Sequence, residues 1–166
     1  MTHMQTMGFG SRRIFYINFA EHLLNAYGPN LIHPGLPGRW QPTDWHGVFG
    51  MVAGFGATVF EFWLVPSWFS SEFLRSPAST AIADELNEII AAAHSAGLQV
   101  EMIAGLATSG PQWHTLCPNV VEEWTEIRAL WQEWARRLPG LDIIGIFPGD
   151  PGACSRNGCT AETYID

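Results

Sequence analysis

Ala57-Thr-Val-Phe-Glu-Phe-Trp-Leu-Val65 is the stretch that decides the fold. It is rich in β-branched and aromatic residues, Pro66 closes it, and it is short for a helix, so it reads as a strand. Side chains along a strand alternate between two faces. Phe60, Phe62 and Leu64 therefore share one face, and Glu61 and Trp63 share the other. Strands of an open doubly wound sheet are apolar on both faces. A carboxylate in the middle of this strand predicts that one face looks into a polar interior.

The same alternation recurs outward from this segment. In Leu98 to Leu106, Gln99 and Glu101 alternate with Leu98, Val100 and Met102. In Arg12 to Ala20, Tyr16 and Asn18 alternate with Phe15, Ile17 and Phe19. Leu141 to Phe147 is a further strand, with Pro148-Gly-Asp-Pro-Gly152 as its exit turn. Helical patterns lie between the strands. Trp45 to Gly54 follows Asp44 or Thr43 as cap. Thr80 to Ser95 carries Ile82, Leu86, Ile89 and Ala93 on one stripe, and Gly97 ends it as a C′ residue. The clearest helix starts at Asn119, with Glu122 as its capping-box partner. Trp124, Ile127, Trp131, Trp134 and Leu138 form its apolar face, and Glu133 and Arg137 pair on the other side. Tyr27 to Pro42, Ser67 to Ser79 and Ala107 to Pro118 read as loops.

Alternating strands and helices predict parallel strands joined by right-handed crossovers. The polar strand faces and the long strand-exit loops favour the N-terminal half of a (β/α)8 barrel over the alternative, a small doubly wound α/β sheet. A whole barrel takes about 250 residues, and this chain has 166. Thr160 to Asp166 reads as the first turn of another helix. The expectation is one partial barrel domain over residues 1–166, truncated at its C-terminus. Its partner is the other half of the barrel, and alone it is expected to self-associate through unpaired strand edges.

Composition narrows the function classes. The chain is 47% hydrophobic and 13% aromatic, enough for a core, and only 14% charged. Its net charge of −8 argues against nucleic-acid binding. All eight basic residues are Arg, which excludes lysine Schiff bases and P-loop lysines. Gly50, Gly54 and Gly56 follow a helix and precede a strand, the reverse of a dinucleotide fingerprint. No stretch reads as a membrane span, and Met1 to Arg13 holds no apolar leader, so a cytoplasmic location is the default expectation.

The segment Ile143-Ile-Gly-Ile-Phe-Pro-Gly-Asp-Pro-Gly-Ala-Cys154 resembles bacterial carbohydrate-active TIM-barrel proteins of the hexosaminidase and α-glucuronidase type. The first strand with Asn18 and the second ending near Trp63 are compatible with that group. The resemblance implies a glycoside hydrolase that cleaves a glycosidic bond with acid/base assistance. Family-20 hexosaminidases end this strand in Gly-Asp-Glu. Gly149-Asp150 matches, but Pro151 stands where the catalytic Glu belongs, so another carboxylate has to serve as acid. The alternatives are a non-catalytic carbohydrate-binding barrel and a metal-dependent barrel hydrolase or isomerase.

Asp150, at a strand exit, is the candidate catalytic residue; ordinary turn chemistry is the competing account. Asn18, His22, Glu61, Trp63 and His114 are the candidate substrate contacts. Glu61 is the nearer of the two mid-strand acids to its strand exit, whereas Glu101 reads as part of a structural network with Arg12, Arg13 or Tyr16. Trp40, Trp63, Trp68 and Trp113 suit either sugar stacking or loop packing. No cofactor is required by this reading. A zinc set of His114, Cys117, Cys154 and Cys159 is the minor alternative, against a Cys154–Cys159 disulfide or free thiols.

Overall fold

A computed structural model describes residues 12–18, 40–64, 68–105, 108–109, 114–147, 154, 156–160 and 163. Four strands form one parallel sheet: β1 (Ile14–Asn18), β2 (Val59–Trp63), β3 (Gln99–Gly105) and, three elements later, β6 (Ile143–Phe147). Their spatial order is the order of the chain, and every pairing is parallel. The crossovers contain α1 (Pro42–Gly54), α2 (Ser71–Arg75), α3 (Pro77–Ser95) and α4 (Val121–Arg137). A small antiparallel ladder, β4 (Thr108–Ser109) with β5 (His114–Thr115), precedes α4.

The expected α/β architecture is present. Right-handed crossovers that all step the same way lay their helices on one face of a sheet. A doubly wound sheet needs a reversal of strand order. The described strands contain none, an order compatible with an arc of a barrel.

The core lies under the helices. Phe60, Phe62, Leu64, Val100, Met102 and Ala104 present one strand face to it and are almost fully buried. Trp45, Phe49 and Val52 supply the inward stripe of α1. Phe49 packs on Phe60 with ring centroids 4.8 Å apart. Leu86, Ile89, Ile90 and Ala93 are the α3 contribution, and Ile127, Leu130 and Trp134 that of α4. Ile144 and Ile146 of β6 are register partners of Met102 and Ala104, yet stay 48% and 55% exposed. Among the described residues, therefore, no helix of the layer covers these two side chains.

Several boundaries differ from expectation. The cap of α1 is Gln41 rather than Thr43 or Asp44. Asp44 instead accepts a hydrogen bond from the Gln41 N–H at 2.7 Å, and Pro42 opens the helix. The predicted loop Ser67 to Ser79 contains α2 and the first turn of α3. Ser70 caps α2 by accepting from the Phe73 N–H at 3.1 Å, and Pro77 starts α3. Proline there marks a helix start, not a break. The capping box expected from Asn119 and Glu122 does not form. Val120 is the cap, and Glu123 reaches back to the Cys117 N–H. The predicted loop Ala107 to Pro118 holds the β4–β5 ladder.

Arg137 ties the helices together. Its guanidinium donates to Glu133 at 2.7 Å, the buried Ser79 hydroxyl at 2.7 Å and the Leu74 carbonyl at 2.9 Å. Arg136 also holds Glu133. The two arginines keep the Glu133 carboxyl at about 2, below its ordinary 4.5. A depressed carboxyl adds stability above its unfolded value and loses it as pH falls through the folded one. Glu133→Gln is therefore expected to cost about 0.5–1 kcal/mol at neutral pH. In urea titrations across pH, that gap closes as pH falls from 4.5 towards 2.

Candidate functional site

The face of the sheet away from the helical core carries the chemistry. Tyr16, Glu61, Glu101 and Ile143 are successive register partners across β1, β2, β3 and β6. One row nearer the strand exits lie Asn18, Trp63, Ile103 and Gly145. Among the described residues no helix covers this face, and Tyr16 remains 46% exposed. Glu101 is buried.

Like charges directly opposite one another across a strand pair are unfavourable. Here three features relieve the conflict. Arg12 forms an ion pair with Glu101. Glu61 holds its proton more tightly than an exposed carboxyl does: its pKa is raised by burial, then by its interactions with the neighbouring Glu101 carboxyl, with Arg12 opposing. Burial and the nearby Glu61 also raise the Tyr16 phenol. The third feature is space. A Cβ on Gly145 would stand 2.8 Å from Glu101 Oε1 and 2.4 Å from Ile103 Cγ2.

Glu101 is the networked acid that its sequence context implied, and Arg12 is the partner. Glu61 is nearer the end of its own strand than Glu101 is, and the register adds that the two lie in one row because their strands pair without offset. Trp63 is half-buried at the last position of β2. Asn18 closes β1 beside it, and His114 begins β5, but their side chains lie outside the described ones. Asp150, His22 and Trp113 lie outside the described residues. Trp40 packs edge-on against Trp45, with centroids 4.8 Å apart, and lines a groove over α1 and α3 with Glu85 and Glu88. Trp68 accepts at its carbonyl from Trp134 Nε1 at 3.1 Å. Both are packing residues of the helical layer.

Comparison with known protein families and with curated proteins finds no match. No helix among those described is long and apolar enough to cross a membrane.

The three cysteines converge. Cys117 is buried, Cys154 and Cys159 are half-buried, and their sulfurs lie within 4.8 Å of one another. No disulfide joins them, so the Cys154–Cys159 bridge is not formed, and the short approach is Cys117 to Cys159 at 3.3 Å. Burial, then hydrogen bonds with Cys154 and Cys117, push the Cys159 thiol up to about 12. Sequence spacing carried no sign of Asn119, Arg156 and Asn157 around them.

Two outcomes check this geometry. Gly145→Ala is expected to cost about 1–3 kcal/mol in chemical denaturation, as overpacking does. Glu61 is the opposite case to Glu133. Its raised pKa gives stability that is full below 4.5 and lost as pH rises through the folded value. Glu61→Gln stays neutral at every pH, so its melting temperature should gain on the wild type as pH rises above 4.5.

Proposed function

We propose that this chain is the N-terminal part of a sugar-active (β/α) barrel, a glycoside hydrolase in which Asp150 is the catalytic carboxylate and the Glu61–Trp63 region binds the substrate. The observation that carries this reading is the register row of Glu61 and Glu101 beneath Trp63, on a face that no described helix covers, with the Glu61 pKa raised by burial and by Glu101. A protonated carboxyl donates a hydrogen bond to a hydroxyl or ring oxygen, and an indole face stacks on the C–H surface of a sugar.

Glu61 and Glu101 do not make a glycosidase pair by themselves. Such a pair stands about 5–9.5 Å apart with the scissile bond between its members, whereas these two project side by side from adjacent paired strands, which lie about 4.8 Å apart and leave no gap for that bond between them. Glu61 is therefore assigned to binding. The exit of β6, at Phe147, is four residues beyond the Glu61 row, about 13 Å at 3.3 Å per residue. Asp150 follows that exit in sequence, so the cleaving group belongs to the strand-exit level, as in barrel enzymes generally. The remaining carboxylate comes from another part of the barrel.

The test uses the full-length protein, a panel of aryl glycosides and oligosaccharides, and calorimetry for binding. Asp150→Asn is expected to lower kcat by at least about 1,000-fold while sugar still binds. Glu61→Ala, which removes the donor, is expected to raise KM by about 10-fold, the worth of one good hydrogen bond, with little change in kcat. Sugar binding without turnover in the wild type would make the chain a carbohydrate-binding barrel. Neither binding nor turnover would overturn the reading.

A further inference from the structure

The cysteine cluster lies apart from the carboxylate row and joins two connections. Cys117 follows β5, just before α4. Cys154 and Cys159 come after β6 and flank a 3-10 turn, Arg156–Gly158. In that turn Asn157 and Gly158 both hold positive φ, 54° and 71°, and the chain bends back sharply enough to bring both sulfurs to Cys117. We propose that Cys117, Cys154 and Cys159 bind a single thiolate-preferring divalent cation of the zinc class, clasping the connection after β6 to the one before α4.

Four observations carry this. The first is size. Three thiolates at 2.3 Å from a tetrahedral zinc stand about 3.8 Å apart. The sulfurs here have one contact at 3.3 Å and none beyond 4.8 Å, so a single ion fits among them with small side-chain rotations. A disulfide needs about 2.05 Å, uses two sulfurs and strands the third. The second is the outer shell. Asn119 Nδ2 donates to Cys159 Sγ at 3.4 Å, and Asn157 Nδ2 donates to Cys117 Sγ at 3.7 Å. N–H donors aimed at sulfur orient and stabilise metal-bound thiolates. The third is charge. Three thiolates and a dication leave one net negative charge, and Arg156, whose carbonyl lies 3.9 Å from Cys117 Sγ and Cys154 Sγ, brings a positive residue to the cluster. Its guanidinium is fixed by Glu123 at 2.6 Å and the Thr115 carbonyl at 2.7 Å. The fourth is support. Glu123 also accepts from the Cys117 N–H, so one carboxylate orients both a ligand and the balancing cation.

Without metal, the thiol protons have acceptors of their own. The Arg156 carbonyl lies 3.9 Å from both Cys117 Sγ and Cys154 Sγ. A metal ion replaces those protons and bonds the three sulfurs directly. With Cys154 and Cys159 half-buried, the fourth coordination position faces outward, where water or another side chain completes the tetrahedron. The proposal is independent of the sugar reading, because none of its residues belongs to the carboxylate row.

The experiment is a cobalt(II) titration of the full chain, reduced and stripped of metal, under argon. The expected result is a thiolate-to-cobalt charge-transfer band with intense tetrahedral d–d bands, saturating at one ion per chain and erased by equimolar zinc. Cys154→Ser, at a half-buried position that should tolerate it, is expected to weaken or abolish the band while circular dichroism stays unchanged. Asn119→Ala is expected to weaken cobalt affinity by about 10- to 100-fold while keeping the band. No charge-transfer band at excess cobalt would overturn the site. So would a band indifferent to Cys154→Ser in the folded protein, or a Cys117–Cys159 disulfide found by peptide mapping of protein purified anaerobically.

Discussion

Each crossover between the described sheet strands steps the same way, and the rest of the molecule depends on that. Parallel strands need long connections, and a right-handed connection packs back onto one particular face. With the order β1-β2-β3-β6, the connecting helices share a face. The strand residues beneath them are aromatic and aliphatic because they alone meet a dry layer. The opposite residues are released from that demand, and there the chain places Tyr16, Glu61 and Glu101. At β6, Ile144 and Ile146 show the core pattern without cover from a described helix.

Two acids in one register row are costly. Two unit charges about 4 Å apart repel by about 4 kcal/mol at an effective dielectric of 20. That is a large fraction of a small domain's net stability. Arg12 offsets the charge at Glu101, and Glu61 keeps its proton to a higher pH than an exposed carboxyl does. While protonated, Glu61 donates a hydrogen bond where a bare carboxylate only accepts. Gly145 belongs to the same arrangement, since any side chain there would occupy the space of the Glu101 carboxyl. The conflict and its relief convert a structural strand position into a chemically distinct one.

The connections at the strand exits are held by a different set of bonds. Arg156, Glu123 and the three sulfurs draw together segments about 40 residues apart in sequence. The sheet positions the row of acids, and this network positions a stretch of loop. The two draw on separate residues, so one can change without disturbing the other.

Much of this was legible in the chain. Runs rich in β-branched and aromatic residues between turn signals identified the four sheet strands, and alternation of period two sorted Glu61 from Phe60 and Phe62. Period 3.6 identified α3 and α4, and the spacing of Glu133 and Arg137 announced their ion pair. These are local signals, set by the geometry of a single element. The short helix α2, the β4–β5 ladder and the true start of α3 were not legible, because Pro and Ser clusters serve turns and helix caps alike. Nor was the shared row of Glu61 and Glu101, which depends on the register of two strands, or the meeting of Cys117 with Cys154 and Cys159. The sequence by itself determined which residues share a face. Only the tertiary structure decided which faces and loops meet, because register and crossover direction arise from contacts between segments far apart in the chain.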